Sequence, residues 1–147
     1  AYEICACLVG SEMCIRDKSY YFPIETISIP DIKGNKANYI YSKTYTGNGK
    51  LYGYFNVPGY VSNPPDYVND KSMQTFEIDV YNKTVKKMNF DGTTGWSCSQ
   101  CKAGDYMVFG MASTQGTGYY LYNYKEDKYE PLKIKTEGNP FKIQYLK

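Results

Sequence analysis

From Lys18 onward, short apolar runs alternate with polar breaks, and within the runs apolar and polar side chains change places with a period close to two. Tyr, Val, Ile, Thr and Phe fill the runs, and these residue types suit a pleated, half-buried surface. Gly, Asn, Asp and Pro fill the breaks. No apolar period of 3.6 residues is readable after Asp17, so the pattern predicts strands and no sizeable helix. Thr26–Ile29 is a short strand stopped by Pro30. Asn38–Lys43 and Leu51–Val57 flank the glycine-bearing hairpin signal Thr46-Gly47-Asn48-Gly49-Lys50. Thr75–Tyr81 and Thr84–Met88 flank Asn82-Lys83. Tyr106–Met111 and Tyr119–Tyr124 enclose a Ser/Thr/Gly loop, Ala112–Gly118. Lys128–Thr136 follows the polar turn Lys125-Glu126-Asp127, and Phe141–Leu146 restarts a strand after Pro140.

The stretch Pro58–Ser72 carries three prolines and is too long for an ordinary hairpin loop. It reads equally as a functional loop or as a surface insertion. After it comes a weak internal repeat. Glu77–Met88 parallels Tyr120–Leu132, each a strand, a polar turn and a second strand closed by an apolar residue. The spacing matches the roughly 40–45 residues of repeating four-stranded propeller blades. A blade has two faces that both need neighbours to exclude water, so such units stack.

The tyrosine-rich strands, the FEIDVYNKTVKKM hairpin and the GDYMVFGM…GYYLYNYKEDKYEPLKI stretch resemble the C-terminal part of exported β-propeller lipoproteins of Bacteroidetes-like bacteria. The resemblance runs from Asn38 to Lys147. It lacks the Trp-Asp dipeptide of WD40 blades and the glycine pairs of kelch blades. It implies a periplasmic or cell-surface protein with a ligand-binding or scaffold role, in some relatives in nutrient or iron-chelate uptake.

The leader is of a different kind. Back-translated, Ala1–Ile4 reads as the end of a sequencing-flowcell adapter, and Leu8–Asp17 as a transposase-type library adapter. Residues 1–17 therefore resemble translated adapter and are expected to be unstructured. On this reading 18–147 is the C-terminal fragment of a longer propeller protein. Setting the leader aside removes Cys5, Cys7 and Cys14 and leaves Cys98 and Cys101. It also removes Arg16 against Glu3, Glu12 and Asp17, which takes the net charge from +2 to +4.

That charge is mild and dispersed among carboxylates, unlike the clustered basic faces of nucleic-acid binders. No run approaches the roughly 20 apolar residues of a membrane helix. The chain has no His, which removes the commonest general base and the Ser-His-Asp arrangement. No catalytic residue, cofactor or metal is assigned. Cys98-Ser99-Gln100-Cys101 supplies two thiols where a structural zinc site needs four ligands. The pair is carried forward as a disulfide clamping a loop, with two free thiols or half of a metal site as alternatives. Trp96, Tyr60 and Tyr67 are the ligand-contact candidates, because a loop aromatic can stack on a sugar or an aromatic chelate. For Trp96 a core position is the competing reading. The alternating pairs Tyr39/Tyr41 and Tyr52/Tyr54 read as cross-strand packing on a sheet face.

The expected architecture is all-β, with antiparallel sheets forming a partial propeller of two to three blades. The expected function is non-catalytic binding of a small molecule, glycan or protein, or scaffolding. Two alternatives remain: part of a propeller hydrolase or lyase with its catalytic residues elsewhere, or an independent β-sandwich adhesion module.

Overall fold

The computed structural model describes the backbone of residues 4–5, 12–15 and 18–21, and residues 29, 32–144 and 146 in full. Among the described residues, eleven strands run in chain order: β1 (Ile4–Cys5), β2 (Glu12–Ile15), β3 (Lys18–Tyr21), β4 (Tyr39–Gly47), β5 (Lys50–Asn56), β6 (Met73–Asp79), β7 (Thr84–Lys87), β8 (Ser99–Ala103), β9 (Tyr106–Ser113), β10 (Gly116–Asn123) and β11 (Lys128–Lys135). The only described helix is one 3-10 turn, Pro58–Tyr60. No described helix is long and apolar enough to cross a membrane.

Eight of the strands make two four-stranded antiparallel meanders, ordered β4-β5-β6-β7 and β8-β9-β10-β11 with β11 at the far edge. Neither sheet closes on itself. The first hairpin of each is set by turn chemistry. Asn48 and Gly49 both have positive φ, the requirement of a two-residue turn that follows the strand twist. Gly104 opens the corresponding β8–β9 turn at φ +60. The last hairpin of each sheet shares a single design. Asp79 Oδ1 accepts the backbone N–H groups of Tyr81 and Asn82, and Asn123 Oδ1 accepts those of Lys125 and Glu126. Lys83 and Asp127 close the two turns with positive φ. The repeat is thus physical: Asp79↔Thr84 recurs as Asn123↔Lys128, 44 positions later in each strand.

Register fixes which faces meet. On the first sheet Leu51, Phe55, Phe76 and Ile78 share one face and pack under Ile29, Ile32 and Ala37. Tyr52 and Tyr54 occupy the opposite face and pack against Met107, Phe109, Met111, Tyr120 and Tyr122 of the second sheet. Lys50↔Asp79 in one sheet corresponds to Tyr106↔Asn123 in the other. Met107 and Met111 are therefore the counterparts of Leu51 and Phe55. The sheets stack through unlike faces, and the first sheet is apolar on both sides. Each fully buried aromatic or aliphatic side chain contributes about 1.5–3 kcal/mol. Tyr54 ties the layers together: its ring meets Phe109 edge-on at 5.6 Å, and its hydroxyl donates to the carbonyls of Ser99 and Gly110.

Several expectations are corrected. Of the leader, the described residues Ile4–Cys5 and Glu12–Ile15 are strands, and β2 pairs with β1 and with β3, which begins after the leader. Ala112–Gly118 is mostly strand, because Gly116 and Gly118 take positive φ and carry β10 back from a two-residue turn at Thr114-Gln115. Phe141–Leu146 is not a strand in its described residues. Instead Pro140 lies over Gly110, where a Cβ would meet it at 2.9 Å, and its carbonyl accepts the Ser99 hydroxyl. A strand at Ser99–Ala103 was not expected at all. Of Thr26–Ile29, only Ile29 falls among the described residues, as a buried residue outside any strand.

Candidate functional site

The β4–β5, β8–β9 and β10–β11 turns lie at one end of the stacked sheets, and between them opens a cleft of about 1080 Å³. Its depth is tyrosine. Tyr52 and Tyr122 are buried with ring centroids 5.5 Å apart, and Tyr124 stands 6.3 Å from Tyr52 on the more open side. The three reach this cleft because inward positions alternate along β5 and β10, and because Tyr124 begins the turn that follows β10.

Ionisable groups surround the rings in pairs. Lys50 Nζ sits 2.6 Å from Glu77 Oε1 and 2.9 Å from Asp79 Oδ2. Burial works to lower the Lys50 pKa, but the two carboxylates outweigh it and hold the ammonium above its ordinary value. Tyr52 donates to the other Glu77 oxygen at 2.8 Å; burial first, and then this carboxylate, push its phenol pKa far up. Tyr122 donates to Asp127 Oδ1 at 2.8 Å and is raised for the same two reasons. Asp79 is held at about 2, chiefly by the Asn82 backbone N–H and then by Lys50. Lys125 pairs with Asp105 at 2.7 Å on the exposed rim.

Lys102 is placed differently. It projects from the inward face of β8, donates to the Thr46 carbonyl at 2.9 Å, and lies 5.7 Å from the centre of the Tyr124 ring. Beside it, Gln100 donates its amide to the Tyr52 carbonyl. Chemically the cleft offers fixed cations, aromatic faces and hydrogen-bonding groups. Among the described residues, no group of three or more Cys, Asp or Glu side chains is arranged to hold a metal ion.

No protein-family profile, curated protein or solved structure matches the chain.

The residues singled out from sequence lie elsewhere. Trp96 is 59% exposed, in the connection between β7 and β8, and Tyr67 is 71% exposed in the loop after β5. Tyr60 packs partly on the first core, and its hydroxyl accepts the Lys33 backbone N–H. None of the three lines the cleft. The loop carrying Tyr60 and Tyr67 is built by carboxylates. Asp70 Oδ2 accepts from the Ser62 hydroxyl and from the N–H groups of Ser62 and Asp66.

Cys98 and Cys101 stand as free thiols, not joined to each other as the disulfide reading expects. They flank the extended start of β8, where three residues span about 10 Å, beyond the roughly 7 Å Cα limit of a disulfide. Cys98 faces the inter-sheet core and donates to the Thr94 carbonyl. Burial pushes its pKa up to about 12. Sequence reasoning missed Lys50, Glu77, Lys102 and Tyr124. The signal for them was the pair of glycine turns at Asn48-Gly49 and Gly104-Asp105, which bring the inward residues next to those turns to one end.

Proposed function

We propose that the two sheets are successive blades of a propeller-type protein and that the chain is a non-catalytic ligand-binding module using the cleft between them. The single observation that carries the binding reading is that cleft, where tyrosine rings, a tethered Lys102 and paired carboxylates converge on a space large enough for an oligosaccharide or chelate. Sites of this kind combine apolar and aromatic walls with a few placed polar groups. The blade reading is supported by the 44-residue recurrence of the last hairpin and by the meander order in both sheets. It is favoured over a β-sandwich because the first sheet carries a packed apolar core on each face, whereas a sandwich sheet alternates core-facing with outward polar residues. An exported setting, with nutrient or iron-chelate capture as its purpose, rests on the resemblance to propeller lipoproteins.

Amide-resolved NMR of the whole chain against a panel of oligosaccharides and ferric chelates tests the binding reading. The expected perturbations cluster at Thr46–Lys50, Lys102–Asp105 and Tyr122–Asp127. Perturbations confined to Tyr60, Tyr67 and Trp96 would move the site to the loops. Turnover of a panel member would replace binding with catalysis.

A further inference from the structure

Given the cleft as the binding site, we propose that it selects a carboxylate-bearing sugar, with Lys86 and Lys102 as the cations that receive the acid groups. This rests on the binding reading and adds the ligand's charge and class. The selection follows from which charged side chains in the cleft already have partners. Glu77 has both oxygens occupied, one by Lys50 and one by Tyr52. Asp105 holds Lys125, and Asp127 takes the Tyr122 hydroxyl. Each acidic side chain lining the cleft thus already has a donor within the protein. Two of the four lining lysines, Lys86 and Lys102, have no carboxylate within ion-pair distance among the described residues.

Both side chains are exposed at the cleft, and Lys102 is held in place. Lys102 spends one of its three N–H donors on the Thr46 carbonyl, which fixes the ammonium at the cleft and leaves two donors for a ligand. Lys86 stands directly across the strand pair from Glu77, whose two oxygens are already engaged by Lys50 and Tyr52, and among the described residues it makes no ion pair. Beside Lys102, Tyr124 is anchored by its hydroxyl to the Gly104 carbonyl and is only partly buried. Its ring offers the apolar contact that the C–H face of a sugar uses. The second oxygen of Asp127 and the backbone carbonyls of the turns accept sugar hydroxyls. Compact lysine ammoniums, with no arginine fork among the described residues, suit single carboxylates spaced along a chain. The open shape and about 1080 Å³ volume suit several sugar units.

The test is titration of the whole chain with trimers of galacturonate, glucuronate and mannuronate, each beside its neutral methyl ester, followed by NMR and calorimetry. At least one acid trimer should bind about tenfold or more tightly than its ester, a difference that each lost ammonium contact can supply. The preference should shrink as salt rises. Lys86→Gln and Lys102→Gln should each lower affinity for the acid about tenfold and that for the ester by much less. Both variants should keep the wild-type circular dichroism and melting temperature. Acid and ester binding equally well in the cleft overturns the charge selection and leaves the binding reading intact. Acid binding that ignores both lysine variants overturns the assignment of the cations. Absence of cleft perturbation by every trimer and ester, together with a negative general panel, overturns both readings.

Discussion

Replacing Tyr54 with Phe isolates a fully buried hydroxyl that hydrogen-bonds across the two sheets. The ring is fully buried and would stay against Phe109; only the hydroxyl is lost. That hydroxyl lies 3.3 Å from the Ser99 carbonyl and 3.1 Å from that of Gly110. It has one proton to share between them. A neutral hydrogen bond contributes about 0.5–1.5 kcal/mol, and an orphaned buried acceptor adds a cost of about 1–3 kcal/mol. Ser99 and Gly110 are paired partners in the β8–β9 ladder, so the orphaning cost falls at the low end. Tyr54→Phe should therefore cost about 1–2 kcal/mol. Tyr54→Ala, which also removes the ring, should cost about 3–5 kcal/mol by analogy with large-to-small aromatic truncations. Urea unfolding followed by circular dichroism and by Trp96 fluorescence reads both. With a slope of about 1–3 kcal/mol/M, the Phe variant lowers the midpoint by about 0.3–2 M with the slope unchanged. Trp96, in the connection joining the sheets, should report the same midpoint as the backbone signal. A Phe variant within about 0.3 kcal/mol of the parent, or two separated midpoints, would refute the claim that Tyr54 couples the layers.

Alkylation of the native chain without reductant, read by peptide mapping, should label Cys101 and spare Cys98 until unfolding; a Cys98–Cys101 disulfide peptide would contradict the extended β8 geometry. Because Asp79 titrates at about 2 in the fold and near 3.9 when unfolded, its contribution is present above the unfolded value and is lost as pH falls toward 2. Asp79→Asn keeps the turn acceptor used by Asn123 and should flatten the acid limb of a stability–pH curve; an unchanged limb would remove Asp79 as its source. Gly49→Ala should destabilise by more than 1 kcal/mol, because the position has φ +73 and a Cβ would sit 2.5 Å from the Tyr81 ring. Thermal unfolding equal to that of the parent would show that the turn can relax.

What was legible in the sequence was local. Asn48-Gly49 and the polar turns after Asp79 and Asn123 announced their hairpins, because positive φ and side-chain capping of turn N–H groups are decided within a few residues. Of the alternating pairs expected to pack across strands on a sheet face, Tyr52 and Tyr54 are buried but against the second sheet, and Tyr39 and Tyr41 are about half exposed. Strand β8 was invisible because its inward residues, Gln100 and Lys102, are polar and find their partners only on the first sheet, at Tyr52 and Thr46. Gly116 and Gly118 looked like loop residues, although their conformation serves a strand passing close to Ile134. The cleft was missed for the same reason as β8. It exists only where two sheets distant in sequence are stacked, and no local pattern records which tyrosine faces which lysine.

The stacking through unlike faces has a consequence for symmetry. Sheets related by a two-fold axis would bury the same face twice and stop at a pair. Here the operation that carries the first sheet onto the second is heterologous, and applied again it leads to the outer side of β8–β11, where Val108 and Leu121 occupy the positions of Tyr52 and Glu77. Repetition of such an operation ends either in a closed ring or in an open filament. Substitutions that make the outer surface around Leu121 and Ile134 stickier should therefore drive end-to-end chains of molecules rather than discrete dimers.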